Sequence, residues 1–171
     1  MAYGIGDKAL NKAGRIFIVE AIQDKDFGSG PAPYLIMKPC FKYDFTEDFR
    51  LFVPMSNAQN ILIPLMTRHQ ANALIDEIPD LEPYPESSPR ERKMQCQNVI
   101  STGDRRMALR IIKSLVIYRQ KRQEAKKAFS DFDSRLLDSM VTMLDDEIAV
   151  VFDISATDAR SYLENKIGMA I

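Results

Sequence analysis

Between Arg90 and Lys127 the chain holds twelve lysines and arginines against three acidic residues, a local charge of +9 in a protein of net charge −1. The rest is charged the other way: residues 1–89 carry eight basic against twelve acidic groups, and residues 128–171 three against nine. A block of one sign on that scale can bind a polyanion through Coulomb attraction and counterion release. Its other use is a solvated helical face. Inside the block, the stretch opening at Pro89 places Arg90, Arg92 and Lys93 in the first turn of a helix, where the dipole favours acidic groups and only Glu91 supplies one. That arrangement suits an outside phosphate. No recognition-helix pattern or zinc-finger spacing accompanies it, so the contacts implied are with a phosphate backbone or a minor groove rather than with base edges.

Catalytic chemistry has no comparable foothold. His69 is the sole histidine, set among Thr67, Arg68 and Gln70, so a histidine metal cluster or a histidine-assisted nucleophile would rest on one residue. Cys40 and Cys96 form no CxxC pair and read as buried thiols. The seven glycines are scattered, GSGP at residues 28–31 reads as a turn, and none forms a phosphate-cradling loop. No cofactor is expected, and the chain reads as a non-enzyme. No apolar run approaches the ~20 residues that span a bilayer, and residues 1–12 lack the apolar stretch of a secretion signal. With no paired cysteines besides, a cytoplasmic location is expected.

The elements that must carry the charge follow from periodicity. Runs rich in Ile, Val and Phe at residues 15–22, 34–38, 49–53 and 60–65, separated by GSGPAP, YDFTED and PMSN, predict strands of a small, strongly bent antiparallel sheet or barrel. Gly6 and Asp7 predict an earlier turn or short strand. Such a sheet has edges that are either blunted or used to pair with a partner. After Pro64 the period becomes helical, with a helix over residues 67–78, then a proline-rich stretch over residues 79–89 that no regular element tolerates.

Ser88 as N-cap, Pro89 as first helical residue and Glu91 as capping-box partner predict a helix to about Ser101, ended by Gly103. The longest basic helix runs from Asp104 to about Ala125. Met107, Ala108, Ile111, Ile112, Leu115 and Tyr118 form its apolar stripe, with Arg106, Arg110, Lys113 and Lys121 on the opposite face and Arg119, Arg122 and Lys126 near the apolar side. Ser130 or Asp131 caps a further helix whose Leu137, Met140 and Leu144 face the core, and a last helix starts at Ser155. The fold class is therefore α+β: a β module over residues 1–66, then an all-helical bundle of about five helices over residues 67–171.

GDKALNKAGRIFIVEAI, PYLIMKP, FRLFVPMSNAQNI and LIPLMTRHQANALIDEIP, in that order and spacing, resemble the N-terminal module of CarD-like bacterial transcription regulators. RERKMQCQNVISTGD, MALRIIKSLVIYRQKRQE, FSDFDSRLLDSMVTMLDDEIAVVFDIS and DARSYLENKI resemble the C-terminal half, so the likeness covers nearly the whole chain. It rests on the ordered set, since no single motif is diagnostic.

The resemblance implies a Tudor- or SH3-like β module that binds the RNA polymerase β subunit by extending a sheet edge, as in transcription-repair coupling factor. It also implies a helical domain that touches promoter DNA at the upstream edge of the bubble and modulates open-complex stability. For polymerase binding it implies Lys25 and the third-strand position held here by Phe52, with Arg50 two residues earlier on the same face. For DNA binding it implies Arg90, Arg92 and Lys93, to which the charge block adds Arg119 and Arg122. Where well-studied members carry a wedging tryptophan, this chain has Pro89. A reading of another class remains beside it: an interaction adaptor whose basic helices dock an acidic protein and bind no DNA.

Overall fold

The structure is a computed structural model that describes residues 2–44 and 47–171. Phe45 and Thr46, within the expected turn at residues 43–48, lie outside the described residues. The chain divides into two compact units, Met1–Leu65 and Met66–Ile171.

In the first unit, β1 (Lys8–Leu10), β2 (Ile16–Lys25), β3 (Ala32–Pro39), β4 (Leu51–Pro54) and β5 (Ile63–Pro64) form one antiparallel sheet in the order β4-β3-β2-β1-β5. Alternation along the strands sends Phe17, Val19, Leu35, Met37 and Val53 into one apolar core with Tyr3, Ala9, Ala58 and Leu62. A bulge between Val19 and Ala21 inserts Glu20 and sharpens the curl of the sheet. Among the described residues β4 and β5 are its two edges, so the sheet is open and not a closed barrel.

The strand expected over residues 60–65 is largely absent. Ala58–Ile61 forms a single helical turn, α1, and only Ile63–Pro64 pairs, with β1. A short apolar run fits helix and strand equally well, and here the turn buries Ala58 and Leu62 while Pro64 sits on an edge where its missing N–H costs nothing.

The second unit contains α2 (Arg68–Glu77), α3 (Pro89–Thr102), α4 (Arg105–Glu124), α5 (Asp131–Phe152) and α6 (Ala156–Ile167). Each starts at a side-chain cap: Thr67, Ser88, Asp104, Ser130 and Ser155 accept from the backbone N–H three residues on. Gly103, in the left-handed region at φ 69°, closes α3. Leu115, Leu137, Met140 and Leu144 are buried as the spacing predicts. No helix among the described residues is long and apolar enough to cross a membrane.

α5 departs from a simple amphipathic helix. It is buried on all sides from Met143 to Ala149, including the acidic run Asp145, Asp146 and Glu147. Lys113, expected on the solvent face of α4, is only 8 % exposed. Its ammonium donates to the carbonyls of Ile78, Pro79 and Leu81, fixing the start of the proline-rich stretch against α4. These carbonyls end a short 3-10 turn, Ile78–Asp80, where a cation is electrostatically favoured.

Candidate functional site

The basic block is sorted by the fold into charges that hold the helical unit together and charges left for solvent. Arg92 belongs to the first group. It donates from Nε and Nη2 to the two carboxylate oxygens of Asp133 on α5, at 2.8 and 3.1 Å, and from Nη1 to the Ser87 carbonyl at 2.5 Å. Its guanidinium also lies 5.2 Å from the centre of the Tyr118 ring. These bonds make Arg92 a structural cation that ties the start of α3 to α5. The adjacent thiol of Cys96 is pushed up to about 11, mainly by burial, and stays protonated. Cys40, by contrast, is only half-buried.

Two further arginines are paired with carboxylates, Arg105 in a buried pair and Arg106 in an exposed one. Arg105 pairs with Glu147 at 2.8 Å and Arg106 with Glu77 at 3.0 Å. Others keep their charge but donate to backbone carbonyls: Arg110 to Glu82, Arg119 to Ala170 and Arg122 to Ala128. Both Arg119 and Arg122 are half-buried, with their stems along the helix.

What remains is a set of five exposed cations, Arg90, Lys93, Lys121, Lys126 and Lys127, with no ion pair or side-chain hydrogen bond among the described residues. They fall into two groups. Arg90 and Lys93 stand in the first turn of α3 behind Pro89, which is exposed at the first helical position. There Ser88 donates from its backbone N–H and its Oγ to Glu91, both at 2.8 Å, holding that carboxyl below its usual range. Lys121, Lys126 and Lys127 gather at the end of α4. There Lys126 takes a left-handed backbone at φ 53° and the Lys127 N–H closes on the Arg122 carbonyl at 2.8 Å. The contact of Arg92 with Tyr118 ties the first turns of α3 to the part of α4 one turn before Lys121.

The β module carries a second surface. Phe27 and Phe52 are 64 % and 42 % exposed, and their rings meet edge-on at 5.8 Å; Phe27 meets Tyr34 at 5.0 Å. Phe52 therefore forms part of an aromatic cluster beside the open edge strand β4, and it is more than a substitute at a basic position. Phe27 and Tyr34 were not legible as members, because a turn separates Phe27 from β3 and strand pairing alone brings the three rings together. Lys25 is half-exposed, with no side-chain partner among the described residues. Arg50 is committed: its Nε donates to Glu20 at 2.6 Å, and its Nη1 to the carbonyls of Glu47 and Phe49.

Other chemistry-bearing residues are placed less productively. His69 is exposed in the first turn of α2. Among the described residues no three His, Cys, Asp or Glu side chains are grouped to hold a metal ion. Asp145 was missed by periodicity. It is 4 % exposed, accepts from Arg160 Nε at 2.5 Å through Oδ2, and has no partner at Oδ1 among the described residues.

Burial raises the Asp145 carboxyl to about 6 against the opposing effect of Arg160. The folded chain thus holds a proton there that the unfolded chain has lost, so this group's stabilisation is full below about pH 4 and disappears as pH rises through about 6. Asp145→Asn should accordingly be more stable than the parent at pH 7, by on the order of 3 kcal/mol, with the gap closing toward pH 4. Urea midpoints of both proteins across that range check it; a gap independent of pH would contradict it.

Comparison with protein-family models and with curated proteins finds no match.

Proposed function

We propose that the chain is a non-catalytic, CarD-like transcription regulator. In this reading the N-terminal unit is a Tudor-like module that binds the RNA polymerase β subunit, and the helical unit holds promoter DNA at the upstream edge of the bubble and modulates open-complex stability. The antiparallel order with β4 free at one edge supports strand pairing with a partner. The Phe27–Tyr34–Phe52 cluster supplies apolar contact beside it, and Lys25 a nearby charge. Arg50 serves through its bond to Glu20 by stiffening that edge.

The observation that carries the DNA reading is the set of five exposed cations left without a partner among the described residues after the fold has paired or tied down the others. Arg90 and Lys93 form its core, with Lys121 and the half-buried Arg119 and Arg122 extending the track. Pro89 acts as an ordinary first helical residue in this reading. The adaptor reading draws on the neutralisation of Arg92, Arg105 and Arg106 by carboxylates, which lowers the charge offered to a polyanion.

Duplex binding measured by fluorescence anisotropy between 50 and 200 mM salt separates the two. A regulator should bind every duplex sequence with a steep salt dependence. Alanine at Arg90 and at Lys93 should each make log K against log salt shallower by about 0.9. No binding at low salt, or a double variant indistinguishable from the parent, leaves the adaptor. In parallel, Phe27→Ser with Phe52→Ser should abolish capture of purified polymerase core while leaving the thermal melt of the chain unchanged.

A further inference from the structure

A cleft of about 220 Å³, with Lys121 in its lining, is formed where the proline-rich stretch crosses one face of α4. Pro83 and Tyr84 make one wall; Ser114, Ile117, Tyr118 and Lys121 make the other. Those α4 residues stand at positions i, i+3, i+4 and i+7 and so share a face of the helix. Both tyrosines are held in place from behind. The Tyr84 backbone N–H donates to the Arg110 carbonyl at 2.9 Å, with the Arg110 guanidinium 6.0 Å from its ring centre, while Tyr118 rests on Arg92 and meets the Phe129 ring at 6.1 Å. The site is thus a preformed slot with aromatic walls, a hydroxyl at Ser114, an ammonium at Lys121 and one carboxylate on its rim, Glu86.

We propose that this slot takes one unpaired nucleobase, stacked against Tyr84 and Tyr118, with the phosphates on either side of it held by Lys121 and by the start of α3. The inference rests on the nucleic-acid reading above and adds a site to it. A base within an intact duplex shows only its edges; a base that has left the stack offers the flat face that tyrosine rings bind. Charge complementarity selects a nucleotide over an apolar peptide side chain, because Lys121 lines the slot and the exposed Arg90 and Lys93 follow its rim residue Glu86 closely in the chain. Glu86 accepts a hydrogen bond from an exocyclic amino group, which adenine, cytosine and guanine have and thymine lacks.

The test uses the full chain and end-labelled duplexes of one sequence: fully paired, with a single bulged adenine, with a bulged thymine, and with an abasic bulge of the same backbone. The bulged adenine should bind more tightly than the abasic bulge by about 5- to 150-fold, the range set by base–aromatic stacking. Tyr84→Ala and Ser114→Phe, one removing a wall and the other filling the slot, should each erase that difference while leaving affinity for the paired duplex unchanged. Glu86→Leu, which has no acceptor, should erase the preference for adenine over thymine. Equal affinity for adenine and abasic bulges in the parent chain, or a difference that survives both slot variants, overturns the slot while paired-duplex binding still supports the regulator. Loss of binding to all four duplexes at low salt overturns both.

Discussion

Arg105→Ala is expected to destabilise the chain by about 3–5 kcal/mol, the cost of stranding a buried charge. Glu147 is 0 % exposed. Its carboxylate accepts from Arg105 Nε at 2.9 Å, from Arg105 Nη2 at 2.8 Å and from the Met66 backbone N–H at 2.7 Å. Arg105 also donates from Nη1 to the Gly103 carbonyl at 2.8 Å, so one side chain closes the turn between α3 and α4 and anchors α4 to the centre of α5. Removing it leaves a desolvated carboxylate with a single backbone donor. Since domains are stable by only about 5–15 kcal/mol, the urea midpoint should move far. The paired replacement Arg105→Met with Glu147→Leu should recover part of the loss, because an apolar pair of similar volume removes the stranded charge but leaves the Met66 N–H and the Gly103 carbonyl without these partners. A midpoint unmoved in Arg105→Ala would show that the pair contributes nothing.

Arg92→Ala should cost about 3 kcal/mol of stability and change the salt dependence of DNA binding little. Arg92 satisfies Asp133, which is buried and also accepts from Ser130 Oγ at 2.8 Å, so its removal breaks a connected network linking α3, the α5 cap and Tyr118. Arg92→Lys separates the two roles further. A lysine keeps the charge a phosphate would need but cannot match both carboxylate oxygens with a planar fork. Chemical denaturation together with the slope of log K against log salt gives both readouts on one protein. A slope shallower by about 0.9 with stability intact would return Arg92 to the DNA-contacting set.

Much of the helical unit was legible because caps act locally. Ser88, Pro89 and Glu91 declare the start of α3 within four residues, and Gly103 its end, whatever the rest of the chain does. The bulge, the single turn Ala58–Ile61 and the burial of Asp145 were not legible. In each case a weak local preference yields to packing against residues distant in sequence. The aromatic cluster on the β module was half legible: Phe52 could be singled out by position, whereas its neighbours Phe27 and Tyr34 are set by strand register.

The sequence by itself determined the charge asymmetry, the β-then-helix order and the N-caps of α2, α3, α4 and α6, since net charge is additive and capping spans a few residues. Which basic residues are free was decided only by the tertiary structure. Arg92 meets Asp133 across 41 positions, Arg105 meets Glu147 across 42, and Lys113 reaches the Ile78 carbonyl across 35. A charge is available to a partner only if no buried counter-charge has claimed it. Such claims are settled by helix packing, which brings together residues whose distance along the chain carries no sign of their contact.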